Sequence, residues 1–149
     1  MAAVAELSKL RQHLPALLTR LSTLLTHPIT DTWTIPSQLF ELRAILGTSR
    51  LKIIRLLESL VLLGDSSIDS VLEQSDCLEK CLDLFWQFEW CSMLHQSAAN
   101  LLVHIFEGGI SRCGLQKYFL IRCGLIQKLI DSFGCDDNIA TNLALQLFH

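Results

Sequence analysis

The chain has 149 residues, half of them apolar and 18% charged, with a net charge of −3. That length supports one domain with a substantial core, and the acidic balance excludes the basic footprint of an electrostatic nucleic-acid binder. The longest stretch without Asp, Glu, Lys or Arg, Trp90 to Phe106, contains His95, Gln96, Ser97, Asn100 and His104, which excludes a membrane span there.

Residues 1–26 read as an amphipathic helix, with Leu7, Leu10, Leu14, Leu17, Leu21 and Leu24 recurring at spacings of three and four. Pro15 removes a backbone donor, so a kink or break is expected near His13. Lys9, Arg11, His13 and Arg20 interrupt every apolar run, which argues against a signal peptide. A transit peptide fits the scarcity of acids here, but the leucine pattern fits a packing helix better. Residues 27–47 form a connector: Pro28, Pro36 and the threonines disfavour helix until a short one from Ser37 to Leu46, with Trp33 pinning the connector to the helices.

From residue 48 to 149 the helical period dominates. Thr48 or Ser49 caps a helix to Leu63 that buries Leu51, Ile54, Leu57, Leu60 and Val61, and Gly64 ends it. A short helix covers Ile68 to Gln74, and Asp76 caps another from Cys77 to about Phe88, striped by Leu78, Cys81, Leu82, Phe85 and Trp86. A longer helix restarts near Glu89, runs to Glu107 and buries Leu94, Ala98, Leu101, Leu102 and Ile105. After Gly108-Gly109 come helices at Leu115–Arg122, Gly124–Phe133 and Asn138–Phe148, the last entered through Asp136-Asp137.

Helices of 8–18 residues joined by short loops, without strand alternation, predict an all-α, armadillo- or HEAT-like helical solenoid continuous with residues 1–47. The repeat expectation rests on rhythm, because no strict sequence period stands out. The chain stops inside an apolar helical pattern at Leu147-Phe148-His149, which predicts an incomplete or truncated solenoid.

Chemistry-bearing constellations are sparse. Cys77-x3-Cys81 and Cys91-x3-His95 have the spacing of two helix faces that would offer zinc four ligands. The same spacing is that of core positions, and burial of small thiols is the stronger reading. No metal or other cofactor is therefore expected. Six cysteines without an export signal read as reduced thiols in the cytoplasm, or also the nucleus. No phosphate-cradling loop follows Gly108-Gly109, and Cys91/His95 is the closest nucleophile–base pair, so the chain is not expected to be an enzyme. Arg50, Lys52 and Arg55 at one helix start are either a solvated face or a basic patch for an acidic partner. Phe85, Trp86, Phe88 and Trp90 form an aromatic cluster in which Trp86 or Trp90 is left over as an interface anchor if Phe85 points inward.

Several phrases occur in a telling order: His27-Pro28-Ile29-Thr30-Asp31-Thr32-Trp33, Leu46-Gly47-Thr48-Ser49-Arg50-Leu51, Arg55-Leu56, Ser67-Ile68, Cys77 to Leu84 leading into Phe85 and Trp90, Leu94-His95, and Ile121 to Phe133. This ordered set resembles the C-terminal portion of the SAPS-domain family, the regulatory subunits of protein phosphatase 6. The chain departs from that pattern in a longer stretch between Trp33 and Leu46 and a shorter loop at Gly108-Gly109. The resemblance implies a non-catalytic regulatory or scaffolding subunit. Such a subunit binds a serine/threonine phosphatase catalytic subunit, directs its activity and joins further scaffold proteins. The alternative is a generic armadillo-like adaptor without a phosphatase link. The candidate partner-binding residues are Arg50, Lys52, Arg55, Trp86, Trp90, His95 and Arg122.

Overall fold

A computed structural model describes residues 2–27, 34–36 and 42–133. Among these, seven α-helices carry the fold: α1 (Ala2–Thr26), α2 (Thr48–Leu62), α3 (Ser66–Gln74), α4 (Cys77–Gln87), α5 (Ser92–Glu107), α6 (Cys113–Lys117) and α7 (Leu125–Phe133). A 3-10 turn, Gly109–Arg112, leads into α6, and a π-helical turn, Tyr118–Arg122, leads out of it. The expected role of Trp33, the start of the helix expected from Ser37 and a helix at 138–148 fall outside the described residues.

The helix α1 is continuous through Pro15, so the expected break at His13 does not occur. An internal proline costs about 3 kcal/mol. Leu14, Leu18 and Leu25 are buried almost completely on the body of the protein, each contributing about 1.5–3 kcal/mol, and outweigh it. The expected leucine stripe is also rotated: Leu17 and Leu24 are exposed, while Leu18 and Leu25 are inside. A straight helix drifts about 20° per heptad from a seven-residue repeat, which moves the buried row off the 3-4 pattern.

The connector holds the second correction. Leu42–Ala44 (β2) is a strand rather than the end of a helix, and it pairs antiparallel with Thr34–Pro36 (β1) in the register Thr34–Ala44, Ile35–Arg43, Pro36–Leu42. A threonine-flanked segment with β propensity supplies β2 with a ladder partner, and a two-stranded pair leaves free edges where a proline is tolerated. Gly47 (φ 86°) then turns the chain into α2 without a side-chain cap, where Thr48 or Ser49 was expected.

The core helices follow the expected period closely. Ile53, Ile54, Leu57, Leu60 and Val61 of α2 are buried, with Leu51 at the margin, and α5 buries Leu94, Ala98, Leu101, Leu102 and Ile105. These two helices pack side by side and run in the same direction. Arg50 lies over the ring of Phe88 just ahead of α5, Asn100 donates to Glu58 at mid-length, and the far ends share Arg112. In the same way α3 lies beside α6, and Lys128 of α7 reaches Asp83 of α4 at 2.7 Å. α1 in turn packs on α2, α3 and α4.

Local signals set the junctions. The Asp65 carboxylate caps α3 by accepting from the backbone N–H groups of Ser67 (2.9 Å) and Ile68 (3.3 Å), and it also takes the Arg11 guanidinium, binding α1 to the same corner. Together these hold its pKa below the usual carboxylate value. Asp76 takes the N-cap position of α4 as expected, but its carboxylate turns to Arg122 at 3.2 Å rather than to the helix N–H groups. The helix expected to restart at Glu89 begins at Ser92, after a turn in which Cys91 N–H donates to Phe88 O.

Candidate protein-binding surface

The basic trio at the start of α2 does not act as one patch. Residues 52 and 55 are three apart and share a helix face, whereas residue 50 projects elsewhere. Lys52 and Arg55 are exposed. Arg50 is half-buried, donates to the carbonyl of His27 at 3.0 Å and lies 5.9 Å from the centre of the Phe88 ring. It therefore fastens the end of α1 to the turn between α4 and α5.

That turn gathers most of the aromatic candidates. Phe85 is buried and packs edge-on against Trp86, with ring centres 5.0 Å apart at 81°. Trp86 is half-buried, while Trp90, in the turn beyond the helix, is 73% exposed. Met93 is exposed as well, three residues further on. His95 sits beneath this turn: its ring is 4.5 Å from that of Phe85, and Nε2 donates to the Phe85 carbonyl at 3.2 Å. Burial pushes its pKa down, against the opposing effect of that carbonyl. Arg50, Trp86 and His95 thus meet around Phe85 and Phe88, and they build the platform from which Trp90 and Met93 project.

Arg122 belongs to a different place. It reaches Asp76 at 3.2 Å and Glu79 at 3.9 Å, and its guanidinium lies 5.1 Å from the Tyr118 ring centre. These partners lie at the start of α4, whereas Trp86 is near its end, a separation of about 15 Å along a helix rising 1.5 Å per residue. The seven candidates therefore do not form one site: Arg50, Trp86 and His95 meet around Phe85 and Phe88 beside the exposed Trp90, Lys52 and Arg55 lie exposed on another face of α2, and Arg122 stands at the start of α4.

The thiols are built into the packing. Cys77 donates through Sγ to the Leu18 carbonyl at 3.2 Å, and Cys81 is buried with its pKa pushed up to about 12 by desolvation. Burial raises Cys123 to about 11. Among the described residues no cluster of three or more His, Cys, Asp or Glu side chains is placed to hold a metal ion. Cys77, Cys81, Cys91, Cys113 and Cys123 are free thiols. No described helix is long and apolar enough to cross a membrane.

Sequence reasoning passed over Arg112. This arginine is buried, and its guanidinium binds the carbonyl of Val61, the carbonyl of His104 at 3.2 Å and the carboxylate of Asp69 at 3.2 Å. It joins α2, α3 and α5 at one end of the molecule. The only hint in the sequence is the pair Gly108-Gly109 just before it, since a side chain at 108 would strike the arginine.

No protein-family model, no curated protein and no solved structure matches the chain.

Proposed function

We propose that this chain is a non-catalytic, armadillo-like helical module that binds the catalytic subunit of a phosphatase 6-type serine/threonine phosphatase and directs its activity. The reading is carried by where the resembling phrases fall. Leu46 to Leu51 enters α2, Cys77 to Leu84 forms most of α4, Leu94-His95 opens α5, and Ile121 to Phe133 forms the exit from α6 and all of α7. The side-by-side packing of α2 with α5 and of α3 with α6 supports a stacked helical arrangement.

In this reading the hydrolytic chemistry belongs to the partner, and this chain contributes surface. The contact centres on Trp90 and Met93, with Lys52 and Arg55 steering an acidic patch of the partner into place. Arg50 and His95 support the turn from below and act on binding through its shape.

The test is co-purification of the folded chain with a phosphatase 6-type catalytic subunit, alongside Trp90→Ala and the double variant Lys52→Glu, Arg55→Glu. Retention by the native chain, weakened in both variants without a change in melting temperature, supports the phosphatase reading. A folded chain that retains nothing favours the adaptor without a phosphatase link.

A further inference from the structure

The outer side of α2 is left open by the rest of the chain. Lys52, Arg55, Leu56, Ser59, Leu62 and Leu63 are all exposed, the three leucines by 39%, 62% and 57%. At 3.6 residues per turn these positions fall within an arc of about 120°. They lie opposite the buried row of Ile53, Ile54, Leu57, Leu60 and Val61, so they form one face.

This face is ordered along its length. Both cations stand towards the N-terminal end of the helix, and the two most exposed leucines stand at the C-terminal end. Neither Lys52 nor Arg55 has an acidic partner among the described residues. The one acid of α2, Glu58, is taken by Asn100 of α5 at 2.9 Å and does not offset them. A cationic, then apolar, row is complementary to a helix that is acidic first and apolar after.

The chain carries that order in its own sequence. Residues 134–149 contain two acids, Asp136 and Asp137, and no Lys or Arg. Asp136, Ala140, Leu143 and Leu147 follow one another at spacings of four, three and four, which is one stripe of a helix. Asp137 precedes Leu147 by ten residues, as Lys52 precedes Leu62. Laid parallel to α2, such a stripe sets its acids against the cations and its leucines against the leucines.

We infer that the outer face of α2 docks segment 136–148 of a second copy of this chain, with Asp136 and Asp137 paired to Lys52 and Arg55 and with Leu143 and Leu147 packed on Leu56, Leu62 and Leu63. The donor is a second copy because a single chain leaves the face open. The helix that precedes the segment, α7, packs on the π-helical turn and reaches α4, while α2 packs on α1, α3, α4 and α5. Self-association of this kind requires nothing of the phosphatase reading and stands or falls without it.

Sedimentation velocity of the full chain over a broad concentration range tests this. Reversible self-association is expected. It should weaken about tenfold or more in the charge-reversed face, Lys52→Glu with Arg55→Glu, and equally in the charge-reversed segment, Asp136→Lys with Asp137→Lys. Mixing these two variants is expected to restore association, because the reversed segment of one then meets the reversed face of the other. Leu62→Glu is expected to abolish association while leaving the melting temperature unchanged. A native chain that stays monomeric overturns the assignment, whether the face then serves the chain's own segment or a different acidic protein. Association that is insensitive to these substitutions, or not restored by mixing, overturns it too. So does a marked fall in melting temperature in Leu62→Glu, because the face would then be covered within one chain.

Discussion

The Nε of Arg112 lies 3.2 Å from the Asp69 carboxylate, with both side chains at least nine-tenths removed from water. The second carboxylate oxygen, Oδ1, is buried without a hydrogen-bond partner among the described residues, and burial raises the Asp69 pKa despite the opposing charge of the arginine. A buried pair of this kind is weak evidence of net stabilisation, but removing one partner leaves the other as an uncompensated buried charge. Arg112→Ala is expected to destabilise the chain by about 3–5 kcal/mol, a large share of an ordinary domain's stability. Urea unfolding measures this. Arg112→Lys is expected to fall nearly as far, since an ammonium cannot reproduce the planar fork that serves Asp69, Val61 and His104 together. A native-like midpoint in the alanine variant would contradict the role assigned to this arginine.

Gly108 sits at the end of α5 with ordinary helical angles (φ −67°, ψ −2°), so conformation alone would favour alanine. The space does not. A Cβ there would lie 2.3 Å from Cδ and 2.9 Å from Cγ of Arg112, in the stem of a side chain fixed at its far end by three partners. Overpacking of this kind costs about 1–3 kcal/mol, against a propensity gain of about 1 kcal/mol. Gly108→Ala is expected to lower the melting temperature, and a rise would show that the arginine shifts freely.

His95 gives the stability a pH dependence. Its folded pKa is depressed below the ordinary imidazole value of about 6.5, with desolvation the main cause. The unfolded chain therefore binds the proton more readily. The contribution of neutral His95 is complete above pH 6.5 and is lost progressively as the pH falls from there towards the lower folded value. Unfolding midpoints at pH 7.5 and pH 5.5 should differ for the native chain and converge in His95→Gln, which keeps a donor for the Phe85 carbonyl. Equal pH dependence in both proteins would remove His95 as the source.

The cysteines should react in two classes. Cys91 and Cys113 are partly open to solvent, whereas Cys77, Cys81 and Cys123 are buried with raised pKa values. The thiolate is the reactive species, so both effects slow the second class. Iodoacetamide labelling followed by peptide mass mapping should modify Cys91 and Cys113 first, with Cys77, Cys81 and Cys123 following only on unfolding. Early labelling of Cys81 would place the packing of α4 in doubt.

The residues whose roles were legible are those governed by local chemistry. A 3.6-residue apolar period is written into α2 and α5, and it identified Ile54, Leu57, Leu60, Val61, Leu94, Leu101 and Ile105 as core. Gly64, with φ 66°, ended α2 as a residue without a Cβ can. The candidate surface was only half legible. The aromatic cluster pointed to the turn from Phe88 to Cys91, but nothing local separates an arginine that steers partners from one that fastens two helices. Arg50 does the second and Lys52 is free to do the first.

By itself, the sequence determined which segments are helical and which face of most helices is apolar, because those depend on neighbours within a turn or two. Tertiary packing decided the rest. It carried α1 through Pro15 as one helix, turned 42–44 into a strand against 34–36, drew the Asp76 carboxylate towards Arg122, and buried Arg112 among three elements up to 51 residues away. Each of these outcomes sets a local preference of a few kcal/mol or less against contacts made between distant residues, and that balance is settled only when the helices are assembled.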